Sequence, residues 1–259
     1  KYERLMRLNV SVDPPDAEHL YGDVMEQRED NNTKTALIYA DLIPLSVNPI
    51  YDGELKAVNV TIANNKALSE DEGIAFPVYD FNVSLKVTPR NNETIVYEAS
   101  KRLDDENQTI YGGEIRNVTF DVNGSEIPPN RTYEFTVVVD SKPEHEWGEI
   151  EELNEDNNVS SKEIGPDLRV GEIYTKPAGD CNCYVVAEIK NEGDLPATNF
   201  KVRLKVNSTS GNGTPRDEWI ESLGPHETIN HTFSKTLEPN RIYDVTVIAD
   251  PDDRVEELD

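Results

Sequence analysis

One segment of this chain occurs three times, and this repetition limits the fold more than any other feature. A strand-like stretch that ends in aspartate, 129–140, returns 110 residues later as 239–250, and an earlier copy occupies 7–13. An acidic stretch follows each copy, and after the first two it ends in Glu-Asp-Asn-Asn, at 29–32 and 155–158. A repeat of this length indicates that one structural unit is used several times in tandem.

Each repeat consists of short runs in which apolar and polar residues alternate, separated by clusters of Gly, Pro, Asn and Asp. Alternation with a period of two is typical of half-buried strands. About seven such strands per repeat predict an all-β protein of tandem immunoglobulin-like antiparallel β-sandwiches. We expect terminal strands of a preceding module, or an inter-subunit strand segment, at 1–37, a whole module at 38–165, and a module lacking its last strand at 166–259.

The incomplete repeat has a structural consequence. A sandwich without its last strand exposes unpaired backbone groups along one edge. Either the chain is an excerpt of a longer tandem array, or a neighbouring subunit supplies the strand. In the second case, segment 33–38 of one copy would complete the module at 166–259 of the next, which gives a head-to-tail fibre. The expected partners are therefore other copies of the chain or neighbouring modules, bound through β-strand edges.

The charge of the chain excludes some partners. Asp and Glu number 51 against 25 Lys and Arg, so the formal net charge is −26. Such a polyanion repels nucleic-acid phosphates and anionic membrane surfaces. Because no apolar run approaches 18 residues, we expect no membrane insertion within this sequence.

Acceptor sequences for N-linked glycans, Asn-X-Ser/Thr, are unusually dense. The 24 asparagines and 30 Ser and Thr residues of the chain would give about three by chance, and alternating strands enrich the pattern only in part. In a run such as 58–62, the asparagine and the threonine share one face and the apolar residues share the other, so the sugars would stand on outward sheet faces. Glycosylation predicts export and a solvated surface. The thirteen acceptors are Asn9, Asn31, Asn59, Asn82, Asn92, Asn107, Asn117, Asn123, Asn130, Asn158, Asn207, Asn212 and Asn230.

Three repeated elements resemble the CARDB family, the cell-adhesion-related domain of prokaryotic surface proteins. They are an Asp-Leu opening, a Lys-Asn-x-Gly turn and an acidic closing strand pair, found here at 41–42, 64–66 and 154–158 and again at 167–168, 190–193 and 250–257. The chain departs from the family pattern in an inserted Glu-His-x-aromatic-Gly segment and in the long stretch 66–80. The resemblance implies an immunoglobulin-like sandwich used outside the cell, often in tandem, and it supplies no catalytic activity. Together with the acceptor density, it suggests an archaeal-type surface protein, such as an S-layer, sheath or filament component.

Catalytic motifs are absent from the sequence. It has no Gly-x-Ser-x-Gly, no His-Glu-x-x-His and no glycine-rich phosphate loop. His19 and His145 occupy equivalent positions in two repeats, which a catalytic residue seldom does. With 51 acidic residues, carboxylate pairs also arise by chance. We therefore expect a protein that is not an enzyme.

The acidic hairpins are candidate calcium sites, since calcium takes six to eight oxygen ligands. The same residues also form good turns, because Asx side chains bond to nearby backbone, and acidic hairpins protect sheet edges from aggregation. Turn chemistry is the favoured interpretation, and calcium is the alternative. The candidate ligands are Asp13, Glu26, Asp30 and Asn31 in the first copy and Asp140, Glu152, Asp156 and Asn157 in the second.

Cys181 and Cys183 are the two cysteines of the chain. Their spacing allows a strained local disulfide, but a turn with free thiols is the favoured interpretation.

Three functions stay open on the sequence alone. The first is a repeating structural module of the cell surface that assembles through strand edges and module contacts. The second is an adhesin that recognises a glycan or a protein through a loop present in one repeat, for which 66–80 and 174–184 are the candidates. The third is a non-catalytic appendage of a larger exported enzyme.

Overall fold

The computed structural model describes residues 6–11, 33–52, 54–68, 73–140, 150–208 and 211–258. In these ranges the regular structure is β-strand apart from single turns of 3-10 helix at Glu106–Gln108 and Glu155–Asn157. The predicted all-β fold is thus confirmed. Up to residue 165 the strands are β1 (Met6–Ser11), β2 (Thr33–Tyr39), β3 (Leu42–Asp52), β4 (Glu54–Asn64), β5 (Gly73–Ala75), β6 (Phe81–Pro89), β7 (Tyr97–Leu103), β8 (Ile115–Asp121), β9 (Tyr133–Val139) and β10 (Val159–Ile164). The later strands are β11 (Leu168–Gly179), β12 (Asn182–Asn191), β13 (Ala197–Ser208), β14 (Gly211–Asn212), β15 (Arg216–Leu223), β16 (Thr228–Leu237) and β17 (Tyr243–Ala249).

The first sandwich, β3, β4 and β6–β10, consists of two antiparallel sheets around one core. Their strand orders are β3-β4-β8 and β10-β9-β6-β7. Alternation along the strands builds this core: in β6, Phe81, Val83 and Leu85 are fully buried, whereas Lys86 is exposed. Burial of each such apolar side chain stabilises the fold by about 1.5–3 kcal/mol.

The second sandwich, β11–β17, has the same plan. One sheet has the order β11-β12-β16, and in the other β13 pairs with β14, β15 and β17. Phe200, Val202 and Leu204 of β13 form the centre of its core. Among the described strands, β17 pairs with β13 alone, whereas its counterpart β9 lies between β6 and β10.

The leading hairpin, β1 and β2, repeats the last two strands of a sandwich. Met6 lies opposite Ile38 and Ser11 opposite Thr33, and in the first sandwich Tyr133 lies opposite Ile164 in the corresponding register. On its other side β2 pairs in parallel with β5. The sequence repeat is therefore also a repeat of strand pairing. The module boundaries that we predict stay a prediction.

Candidate functional site

In the first sandwich, the segment between β9 and β10 is bonded to the start of β3 by a buried carboxyl group. Glu152 is 3% exposed, and its Oε2 accepts a hydrogen bond from the backbone N–H of Leu42. Its Oε1 accepts from Nδ2 of Asn158 at 2.9 Å. Burial raises the pKa of Glu152 to about 9, and the nearby Asp140 adds to the shift. We call this contact, between a glutamate carboxyl group and the first N–H of a sandwich's first strand, the carboxyl latch.

Further side-chain amides and carboxylates hold the same end of the sandwich. Asp41 is almost fully buried and accepts from Nδ2 of Asn157 at 2.9 Å and from Nδ2 of Asn65 at 2.7 Å. Asn64 accepts from the N–H of Asp41 at 3.3 Å. Asp140 accepts from the N–H of Ile150 at 2.8 Å. These bonds satisfy backbone and side-chain groups that would be costly to bury unpaired.

The second sandwich repeats this network. Oε2 of Glu257 accepts from the N–H of Leu168 at 2.7 Å, as Glu152 does from Leu42. Asp250 accepts from the N–H of Val255 at 2.7 Å, as Asp140 does from Ile150. Asn191 accepts from the N–H of Asp167 at 3.0 Å, which repeats the bond between Asn64 and Asp41. A contact kept in both sandwiches is a property of the repeat unit.

The candidate calcium ligands therefore have structural roles. Asp140 and Glu152 accept protein N–H groups, Asn157 donates to Asp41, and Asp156 lies exposed in the 3-10 turn. The described ranges contain no group of three or more His, Cys, Asp or Glu side chains placed to hold a metal ion. The earlier set, Asp13, Glu26, Asp30 and Asn31, lies outside the described residues. Calcium stays a prediction.

The two sandwiches meet at a joint with defined hydrogen bonds. Oδ1 of Asn130 accepts from the N–H of Thr198 at 2.6 Å, and its Nδ2 donates to the carbonyl of Thr198 at 2.7 Å. The hydroxyl of Thr132 donates to the carbonyl of Glu256 at 3.0 Å. Leu195 of the second sandwich is buried within the core of the first. This joint ties the loop between β8 and β9 of the first sandwich to the start of β13 and to the segment after β17 in the second.

Close backbone approach and charge reinforce the joint. A Cβ on Gly193 would lie 2.2 Å from the carbonyl oxygen of Gly165, so only glycine fits there. Lys162 of β10 pairs with Asp194 at 2.9 Å, and His226 contacts the same carboxylate at 3.1 Å. Exposed pairs of this kind contribute little to stability, so the hydrogen bonds and the buried leucine carry most of the joint.

The predicted glycan acceptors differ in how exposed their side chains are in the structure. Their side chains are exposed at Asn9, Asn92, Asn107, Asn117, Asn123 and Asn230 and half-buried at Asn59, Asn82, Asn130 and Asn207. Asn158 is 7% exposed. Asn31 lies outside the described residues, as does the side chain of Asn212. Occupancy stays a prediction at every site.

Two of these acceptor sequences lie side by side on the outer face of the β3-β4-β8 sheet. Asn59 lies opposite Thr119, and Thr61 lies opposite Asn117. Thr61 donates to Oδ1 of Asn117 at 2.9 Å, and Thr119 donates to Oδ1 of Asn59 at 3.3 Å. The outward placement that the alternation predicts is therefore observed on this sheet.

The cysteines lie where β11 turns into β12. Cys181 is exposed and adopts a left-handed φ of 62°, as its neighbour Asp180 does with 50°. Cys183 is half-buried opposite Pro177. Both thiols are free, so the local disulfide that the spacing allows is not formed in this structure.

The two candidate loops of the adhesin interpretation differ in how much strand they contain. Within 66–80, residues 73–75 form β5, and the carbonyl of Phe76 accepts from Asn64 at 2.6 Å. Within 174–184, the chain is the end of β11, a turn and the start of β12. The segment 174–184 is therefore part of a sheet of the second sandwich, whereas the described strand within 66–80 is β5, which pairs with β2.

Sequence reasoning missed one exposed aromatic patch on the second sandwich. Trp219 is 55% exposed, with Nζ of Lys201 at 5.1 Å and Cζ of Arg254 at 4.9 Å from its ring centroid. Arg203 forms two hydrogen bonds with Asp217 beside it, at 2.6 and 2.7 Å. The sequence did contain a signal, because this tryptophan occupies an outward-facing position of β15 and its neighbours on the same face are charged.

Comparisons with known proteins agree with this architecture. Residues 165–259 match the CARDB family. The second sandwich is therefore a CARDB domain, an immunoglobulin-like domain related to cell adhesion, as its motifs suggested. The matched region leaves out the first sandwich, which shares its plan of strands and its latch. Comparison with curated proteins gives no match.

Solved structures with some likeness include the transglutaminase of red sea bream and the class 5 fimbriae chaperone CfaA. The transglutaminase is 11% identical with a TM-score of 0.39, and the match covers 84% of this chain and 30% of that one. The chain thus corresponds to less than a third of the transglutaminase. The chaperone is 10% identical with a TM-score of 0.25, and the match covers 81% of this chain and 98% of that one. None of the described helices is long and apolar enough to cross a membrane.

Proposed function

We propose that this chain is a non-enzymatic segment of an extracellular cell-surface protein, such as an S-layer, sheath or filament component. Its sandwiches work by joining end to end. The observation that carries this proposal is the joint, where Asn130 and Thr198 bond reciprocally and Leu195 enters the core of the first sandwich. A joint of this kind resists bending, and a stalk or coat requires that property.

The surface chemistry supports an exported protein. Six acceptor asparagines are exposed on the described residues, and attached glycans would keep a sheet-rich protein soluble. The charge of −26 also opposes non-specific association. The second sandwich matches a domain family related to cell adhesion, and the chain would then act in adhesion or in a surface layer.

Immunogold labelling of intact source cells tests this location. An antibody raised against the second sandwich should label unpermeabilised cells, and brief protease treatment of intact cells should remove the signal. Labelling that appears only after permeabilisation would contradict the proposal.

The Trp219 patch favours glycan binding as a second candidate function. An exposed aromatic ring with adjacent charged hydrogen-bonding groups can stack on a sugar and bond its hydroxyls. A glycan array should show binding that Trp219→Ala abolishes and that Tyr111→Ala, at a 58% exposed tyrosine of the first sandwich, leaves unchanged. Equal signals from the two variants would refute this candidate.

A further inference from the structure

Among the described residues, the Trp219 patch belongs to only one of the two sandwiches. In the second sandwich, Lys201 of β13 lies opposite Trp219 of β15. At the corresponding register of the first sandwich, Asn82 of β6 lies opposite Arg102 of β7, and Arg102 pairs with Asp80 at 2.9 Å. The carboxyl latch is kept in both sandwiches and is a property of the repeat unit. A patch confined to one sandwich is not required by the fold, which indicates a role of its own.

The ring of Trp219 is accessible because it lies on the outward face of the sheet that contains β13 and β15. Trp219 is 55% exposed, whereas Ile220, the next residue of the same strand, is 5% exposed. An exposed indole ring offers a flat apolar surface, and the apolar face of a sugar ring can stack on it.

Two cations and two carboxylates beside the ring neutralise one another. Lys201 pairs with Asp252 and, at 3.9 Å, with Asp217. Arg203 pairs with the same two carboxylates, with Asp217 at 2.6 Å and with Asp252 at 3.5 Å. We call these four side chains the charge square. They are 21–29% exposed, so the square is held in place and still reaches solvent. A sugar hydroxyl both donates and accepts hydrogen bonds, and the square offers donors and acceptors.

Arg254 adds one more cation to the patch. Its Cζ lies 4.9 Å from the centroid of the Trp219 ring, and within the described part of the chain its guanidinium forms no hydrogen bond or ion pair. The backbone that carries it is fixed, because Asp250 accepts from the N–H of Val255 at 2.7 Å and Val255 is fully buried. A guanidinium over an aromatic ring keeps its N–H edge available, and this planar edge matches a carboxylate with two parallel hydrogen bonds.

We propose that the Trp219 patch binds a sugar that carries a carboxylate, as a uronic acid does. The sugar ring stacks on Trp219, the charge square bonds its hydroxyls, and Arg254 pairs with its carboxylate. With three cations against two carboxylates, the patch has one positive charge in excess, which complements one carboxylate on the sugar. This inference rests on glycan binding, the second candidate function, and names the class of sugar.

The net charge of the whole chain limits the kind of glycan. At −26 the chain repels a long polyanion. At about 0.15 M salt, however, the Debye length is about 8 Å, so the charges next to the bound sugar decide its binding. We therefore expect the patch to bind isolated uronic acids or short runs of them.

A pair of matched probes tests this inference. Tetragalacturonate and its methyl ester have the same sugar rings, but only the acid carries carboxylates. In calorimetric titration of the whole chain, the acid should bind about tenfold or more tightly than the ester, because hydrogen bonds between charged groups are stronger than neutral ones. An acid that binds no more tightly than its ester would overturn the proposal.

Variants of Arg254 locate the carboxylate. Arg254→Gln should abolish the preference for the acid and leave the affinity for the ester unchanged, which also shows that the variant is folded. Arg254→Lys keeps the charge without the planar edge and should keep part of the preference. Arg241→Gln is the matched control, because Arg241 pairs with Glu238 in the turn between β16 and β17, at the other end of β17 from the patch. If Arg254→Gln keeps the full preference, the carboxylate is bound elsewhere and the proposal is wrong.

A glycan array that carries uronic acids and neutral sugars separates this inference from glycan binding in general. Binding of uronic acids that Trp219→Ala abolishes and Arg254→Gln weakens would support both. Trp219-dependent binding of neutral sugars alone would overturn the selectivity for acid and leave glycan binding standing. Binding of no sugar would overturn both.

Discussion

Replacing Glu152 by glutamine should remove a large part of the pH dependence of stability. Burial raises the pKa of Glu152 from 4.5 to about 9, so between these values the folded chain holds one proton more than the unfolded chain. The free energy of unfolding then falls as pH rises, by about 1.4 kcal/mol per pH unit. From pH 6 to pH 8 this amounts to about 3 kcal/mol.

Glutamine keeps the shape of the latch without a charge. Its carbonyl can accept the N–H of Leu42, and its amide can donate to Oδ1 of Asn158, a buried oxygen that has no hydrogen-bond partner. At pH 8 the variant should therefore equal or exceed the wild type in stability. Glu152→Ala should be less stable than glutamine at every pH, since it leaves the Leu42 N–H unpaired.

Chemical unfolding at pH 6, 7 and 8 measures this effect. Glu134→Gln, on the exposed face of β9, is the matched control and should keep the wild-type slope. If Glu152→Gln also keeps that slope, Glu152 is ionised in the folded protein at pH 6–8, and the reasoning from burial is wrong.

Three further predictions follow from the latch, the joint and the turn. Asn158 should carry no glycan in folded protein, because its Nδ2 donates to buried Glu152, and mass spectrometry of glycopeptides should find sugar at exposed Asn107 and Asn123 instead; a modified Asn158 would contradict this. Gly193→Ala should lower the melting temperature by several degrees or more, because its Cβ would meet the Gly165 carbonyl; an unchanged melting temperature would show that the joint is looser than described. Cys181 should react with a thiol reagent faster than Cys183, because it is the more exposed; equal rates would count against the turn geometry.

The repeat and the alternation were sufficient to predict the fold. Asp and Asn residues mark the same turns in each copy, and period-two runs such as 81–85 give the buried face directly. The structure adds that the repeat extends to register, because β1 and β2 pair as β9 and β10 do. These features are local, so they can be recognised in the sequence without information on tertiary contacts.

The latch was harder to predict because its partners lie far apart in sequence. Glu152 follows Asp140 by twelve residues, whereas Glu257 follows Asp250 by only seven, so the spacing from the aspartate does not single out Glu257 over its neighbour Glu256. In the structure Glu256 contributes its backbone to the joint instead. The Trp219 patch was missed for the same reason, since Lys201 and Arg254 come from other parts of the chain.

Electron microscopy of native cell-surface material tests the central claim most directly. If these sandwiches work by joining end to end, antibody-labelled material should form a regular lattice or a fibre. Separate particles of uniform size, without order, would contradict the account. That result would favour the second candidate function, glycan binding through Trp219.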